Sequence, residues 1–114
     1  MGRFANLANY TAEENLVWEQ VCAGAGKTFR TLRGLEFTYG IRGNELFVDR
    51  KAKSLTRATV VQTYRRACEV LREGKPITGP KTLGTFGASY LLPILRQLQL
   101  LPEPSKDADS HWFS

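Results

Sequence analysis

Apolar and polar positions repeat along this chain with two different periods, and the change of period marks the elements. After a lead-in of residues 1–10, Thr11-Ala12-Glu13-Glu14 has the form of a capping box, in which the threonine hydroxyl bonds the N3 amide and Glu14 reaches back to the cap. A helix is predicted from there to about Ala23, with Leu16, Val17, Gln20, Val21 and Gly24 on one stripe. Glu13, Glu14 and Glu19 favour its positive N-terminal end, and Gly24 and Gly26 stop it. The period then shortens to two. Lys27–Arg33 reads as a strand, and Leu35, Phe37, Tyr39 and Ile41 alternate with Glu36, Thr38, Gly40 and Arg42 as in a half-buried strand. Arg42-Gly43-Asn44 supplies turn chemistry, and Glu45–Arg50 returns as the hairpin partner.

The helical period resumes near Ser54 or Thr56, either of which can cap a second helix. Val61, Tyr64, Cys68 and Leu71 form its stripe, Val60 and Ala67 widen it, and Gly74 suits the position just past its end. Pro76–Gly87 is a predicted loop. A last helix is expected over Ser89–Leu101, buried through Leu91, Ile94, Leu95, Leu98 and Leu101, with Pro93 tolerated if it falls in the first turn. Residues 102–114 are polar and bracketed by prolines, which predicts a flexible tail after a single compact domain of residues 1–101.

Composition narrows the function. With 114 residues, 42% hydrophobic and 24% charged, the chain has room for one domain and one modest core. A P-loop NTPase or a dinucleotide-binding fold does not fit. No apolar run approaches the roughly 18 residues that span a bilayer, so no membrane association is expected. The N-terminus has no apolar signal-like core, which with the two cysteines read as free thiols points to the cytoplasm. Two cysteines and one histidine do not make an ordinary four-ligand zinc site, and no cofactor is expected.

Charge changes the picture more. The net charge is +5, and its excess lies in residues 27–66, which hold ten basic residues against three acidic ones. Arg57 at a predicted helix N-terminus, just after Arg50-Lys51-Ala52-Lys53, opposes the helix dipole unless an anion is shared between these side chains. Such clustering is how proteins displace counterions from a phosphate backbone, whereas its bland counterpart is a solvated face that aids solubility. Arg50, Lys51, Lys53 and Arg57 are the expected central contacts, flanked by Arg42, Arg65 and Arg66. Tyr39, Phe47 and Phe29 would stack on bases if exposed, but their alternation places most of them in the core.

Four short motifs bear on chemistry. Val21–Thr28 nearly spells the phosphate-cradling G-x-x-x-x-G-K-[ST], yet Val21 replaces the first glycine and a helix precedes it where a strand is needed. Helix end plus strand start is the better account. Asp49-Arg50-Lys51, with Glu36 on the neighbouring strand, resembles the PD-(D/E)xK nuclease core over roughly residues 11–70. That resemblance implies two acidic metal ligands and a lysine that activates or positions the attacking water. It departs from the pattern in having no Pro-Asp before the first acid and a tight hairpin. Gly84-Thr85-Phe86-Gly87 has the G-x-x-G spacing of KH domains without their basic middle residues. With Lys81 and Ser89 it makes a candidate anion-binding loop, while the structural alternative is two glycines serving positive φ and close packing. Finally, His111-Trp112-Phe113 puts two aromatics near the end of the sequence.

These observations predict an α+β domain: an N-terminal helix, a small antiparallel sheet of two or three strands built on a hairpin, and two C-terminal helices packed on one face. The functional expectation is a non-catalytic nucleic-acid-binding module, with DNA slightly favoured over RNA. The alternatives are a small protein-interaction regulator or inhibitor of the kind phages and mobile elements carry, acting or dimerising through Leu91, Leu95, Leu98 and Trp112, and a metal-dependent nuclease centred on Asp49 and Lys51.

Overall fold

The structure, a computed structural model, describes residues 10–101. The architecture is α+β. Helix α1 spans Ala12–Ala23, strands β1 and β2 span Phe29–Arg30 and Glu36–Phe37, and β3 and β4 span Tyr39–Arg42 and Glu45–Val48. Strand β5 (Leu55–Thr56) runs directly into helix α2 (Arg57–Arg72), followed by a single turn, α3 (Pro80–Leu83), and helix α4 (Ala88–Gln97). The strands form two antiparallel sheets, β1-β2 and β3-β4-β5. The expected small antiparallel sheet is present, as one pair and one three-stranded sheet, while the expected strand over Lys27–Arg33 is only two residues long.

The capping box is present as read: the Thr11 hydroxyl accepts from the Glu14 amide at 3.0 Å, and the Glu14 carboxylate accepts from the Thr11 amide at 2.9 Å. The buried stripe, however, is Glu14, Val17, Trp18 and Val21, and Leu16 faces solvent. Glu14 can sit inside because its carboxylate is fully used, bonded to the cap and to the Arg65 guanidinium at 3.1 Å.

The β3–β4 hairpin pairs Arg42 with Glu45 across Gly43-Asn44. Gly43 has φ of 62° and Asn44 does not share that region, the pattern of a turn that requires glycine at its first central position. Phe29, Phe37 and Tyr39 point inward as an aromatic cluster with ring centroids 5.4–5.9 Å apart, and Tyr90 of α4 meets Phe37 edge-on at 5.1 Å. The Tyr39 hydroxyl donates to the Val21 carbonyl at 2.6 Å, tying β3 to α1.

Helix α2 is capped by Thr56, not Ser54, and its buried face is Val60, Val61, Thr63, Tyr64, Ala67 and Val70, rotated from the expected stripe so that Cys68 and Leu71 are only half-buried. Thr63 belongs inside because its hydroxyl donates to the Thr59 carbonyl at 2.8 Å and meets the Thr85 hydroxyl at 2.7 Å. Gly74, at φ of 80°, ends the helix as expected. Helix α4 is buried on nearly all sides through Leu91, Leu92, Pro93, Ile94 and Leu95. Pro93 lies in its second turn, not its first, and Leu98 is the half-buried C-cap residue. In α4's last turn, the Gln97 side-chain amide grips β1: its NH2 donates to the Arg30 carbonyl at 2.8 Å and its oxygen accepts from the Arg30 amide at 3.3 Å. Both cysteines are free thiols. Among the described residues no helix is long and apolar enough to cross a membrane.

Candidate functional site

The basic segment sits in a hairpin loop. Because β5 returns antiparallel along β4, pairing Leu55 with Leu46, residues 49–54 are a tight connection that presents Arg50, Lys51 and Lys53. Asp49 anchors the loop: its amide donates to the Thr38 carbonyl at 3.0 Å and its carboxylate accepts from the Thr38 amide at 3.2 Å. Arg50 donates from Nε to the Glu36 carbonyl at 2.7 Å. Among the described residues no carboxylate pairs with Arg50, Lys51 or Lys53.

From this loop the contacts lead to a second one. The Lys51 ammonium lies 4.3 Å from the centroid of the Phe86 ring, inside cation–π range. Phe86 belongs to Gly84–Gly87, which links α3 to α4, and its neighbour Thr85 bonds Thr63 on α2. Gly84 and Thr85, with Leu83, form one wall of a polar cleft of about 360 Å3, and Gln62, Arg65, Arg66 and Glu69 of α2 form the other. The helical spacing of these four residues puts them on one face. Arg66 pairs with Glu69 at 3.3 Å, both side chains about half exposed, and such a pair is weak and readily exchanged for another anion. Arg65 is held by Glu14 yet stays largely exposed.

The structure therefore connects Lys51 to Arg65 and Arg66 through the Gly84–Gly87 loop, with Arg50 and Lys53 beside Lys51 in the chain. It does not bring Arg57 there. The Arg57 guanidinium lies against α1 and the residue before its cap, 5.7 Å from the Trp18 ring and 4.7 Å from the Tyr10 ring, and bonds the Asn15 side-chain carbonyl. These neighbours resolve the conflict with the helix dipole, since two aromatic faces and an amide oxygen take the place of the expected anion. The Arg57 Nε is buried with no hydrogen-bond partner among the described residues. Arg42 stacks over the exposed Phe47 at 5.6 Å on the outer side of the β3–β4 hairpin.

The anion-loop residues divide. Gly84 lines the polar cleft, while Lys81 and Ser89 line a separate, mainly apolar groove of about 400 Å3 with Leu32, Arg33, Leu35 and Tyr90. Both loop glycines are left-handed, Gly84 at φ of 66° and Gly87 at 78°, and a Cβ on Gly87 would lie 2.5 Å from the Leu55 side chain. Packing and positive φ thus account for Gly87. Gly24 caps the end of α1, as the alternative to a P-loop required. In the nuclease-like motif, the Glu36 carboxylate pairs with Arg30 at 2.7 Å while that of Asp49 serves Thr38, so the two acids are committed to different local partners. No group of three or more potential metal ligands occurs among the described residues. Leu91 and Leu95 have no exposed surface, and Trp112 and His111 lie outside the described residues.

Two contributors escape sequence reasoning. Phe86 is 51% exposed in the core-facing company of Leu83 and Ala88, and Gln62 is a plain polar position until the Gly84 loop faces it. An aromatic between two glycines was the one available signal. Comparison with protein-family models, with curated proteins and with solved structures finds no match.

Proposed function

We propose that this protein is a non-catalytic module that binds the phosphate backbone of nucleic acid, in the cytoplasm, along the seam from the 49–54 loop to α2. The observation that carries the reading is the seating of Lys51 on Phe86. It links a loop of three cations to the Gly84–Gly87 loop, whose Gly84 and Thr85 share a cleft with Arg65 and Arg66, and in this reading one extended strand meets both. Phosphates spaced along a strand match such a row, and releasing their counterions supplies the driving force. Arg57 has no part in this contact, and Glu69 is the anion a phosphate would displace from Arg66.

The test is fluorescence anisotropy with labelled DNA and RNA across a salt series, with and without magnesium. Four to five phosphate contacts give a log–log salt slope of about −3 to −3.5 on a single strand and about −3.5 to −4.5 on a duplex. The double variant Lys51→Glu, Arg66→Glu is expected to weaken binding at least tenfold, roughly the effect of reversing two backbone contacts. No binding at low salt, or binding indifferent to salt, would overturn the proposal. Cleavage of the probe only with magnesium would replace it with the nuclease.

Protein interaction is favoured by a separate observation and away from Leu91, Leu95 and Leu98, at a groove that α4 borders only through Ser89 and Tyr90. Leu32 and Leu35 are about half exposed along the groove that carries Arg33 and Lys81, and no carboxylate lines it. An acidic peptide with an apolar anchor fits that chemistry. Leu32→Asp with Leu35→Asp would abolish such docking and leave nucleic-acid binding intact.

A further inference from the structure

We propose that the ligand of this seam is single-stranded, and that Phe86 is the platform on which one of its bases stacks. The inference rests on the nucleic-acid reading above and adds the strand state and the contact that selects it.

Three observations carry it. Phe86 is a large aromatic residue left half exposed, although burying it would be favourable by about 1.5–3 kcal/mol. It is also rigidly presented. Gly84 caps α3 with its amide 3.3 Å from the Pro80 carbonyl, the Ala88 amide donates to the Thr85 carbonyl at 3.2 Å, Thr85 is bonded to Thr63, and Gly87 is wedged on Leu55. The ring is pinned on both sides in the chain and so pays little ordering entropy when a ligand arrives. Third, its surroundings divide the labour of holding a nucleotide. Lys51 caps one face of the ring with a cation, so a base stacks on the opposite face, the Arg66 and Arg65 side chains line the neighbouring cleft for phosphate, and the Gln62 amide there offers both a donor and an acceptor to a base edge.

Geometry favours an unpaired strand over a duplex. Base faces in a duplex are covered by their neighbours, so an exposed ring gains nothing from them, whereas splayed bases stack on aromatic side chains irrespective of sequence. The cleft's 360 Å3 lies at the low end of small-ligand sites, the scale of a nucleotide. Gln62 and Arg66 face the Gly84 loop across it, so this side of α2 is a cleft wall, not a free ridge for a major groove.

The experiment compares a 12-mer of oligo-dT, the same length of oligo-rU, a 12-base-pair duplex and an abasic 12-mer by anisotropy at one low salt concentration. The wild type is expected to prefer the base-bearing single strands over the duplex at least tenfold. Phe86→Ala should weaken single-strand binding about 5- to 100-fold, the range for losing one stacked base, with no change in salt slope and none for the abasic strand. Phe86→Trp should restore it. Phe86 is half exposed, and unchanged melting of Phe86→Ala would verify that the variant is folded. Equal affinity for duplex and single strand, or a Phe86→Ala variant that binds like wild type, would overturn stacking while leaving the backbone reading in place. If no probe binds and the Lys51→Glu, Arg66→Glu variant matches wild type, both fall together.

Discussion

Gly87 and Gly26 share a left-handed backbone, at φ of 78° and 88°, but differ in what stands beside them. A Cβ on Gly26 meets nothing within 4 Å, whereas one on Gly87 runs into Leu55 at 2.5 Å. Gly26→Ala should therefore cost only the conformational strain, about 1–2 kcal/mol, and Gly87→Ala that strain plus overpacking, about 2–5 kcal/mol. Thermal melting of the pair separates the two effects, and equal losses would contradict the packing account. Arg57 is the residue for which the sequence pointed one way and the fold another. Its position at a helix start among cations predicted a phosphate contact, but the aromatic rings that neutralise the oddity come from Trp18 of α1 and from Tyr10 just before its cap, and no local pattern announces them. Arg57→Ala is expected to destabilise by about 1–3 kcal/mol through lost packing between α1 and α2, with affinity for nucleic acid unchanged within about twofold. A variant that melts normally but binds poorly would return Arg57 to the interface.

Among the elements, the ends written in capping chemistry were legible and the faces decided by tertiary partners were not. Thr11 with Glu14, Gly43 and Gly74 each marked a boundary because a specific hydrogen bond or a positive φ demands that residue type. The stripe of α1 was ambiguous because Leu16, Val17, Trp18 and Val21 cover more than one side, and contact with α2 selected Trp18 over Leu16. Strand β5 is two residues long and doubles as the entry to α2, so its pattern was absorbed into the helix. Helix α4 ended earlier than expected because a glutamine stands where a stop signal is usually glycine. The Gln99 amide bonds the Arg96 carbonyl at 2.9 Å and the Leu100 amide bonds the Leu95 carbonyl at 2.8 Å, the same closure that Gly74 and Lys75 give α2. Gln99 holds φ of 63° to do so. Gln99→Gly should relieve that strain and raise stability by about 0.5–1 kcal/mol, readable as a higher denaturant midpoint.

At the scale of the whole molecule, the asymmetry of charge was legible and the seating of Lys51 on Phe86 was not, since that contact joins loops distant in sequence. The core also sets how the protein responds to alkali. Burial pushes the phenols of Tyr39 and Tyr64 well above their ordinary value, and for Tyr64 the hydrogen bond to Glu13, at 2.6 Å, adds to the shift. An acid whose folded pKa is raised contributes stability that is fully present below its unfolded pKa and lost above it. The unfolded chain ionises first, near pH ~10, so stability should fall steadily above that pH. Tyr39→Phe and Tyr64→Phe should each flatten the decline, at the cost of the Val21 or Glu13 bond at neutral pH. A melting temperature as steep in pH for both variants as for wild type would reject this assignment.

Gln97 carries a consequence for how copies of this chain treat one another. Strand β1 has β2 on one side only, and an open strand edge is a template that another chain can extend. By offering Arg30 one donor and one acceptor, the Gln97 amide impersonates the peptide group of a next strand and ends the sheet with a single side chain. Gln97→Glu removes the donor and leaves the Arg30 carbonyl to recruit a stranger. Concentration-dependent light scattering in that variant, absent from wild type, would identify this amide as a guard against edge-to-edge assembly.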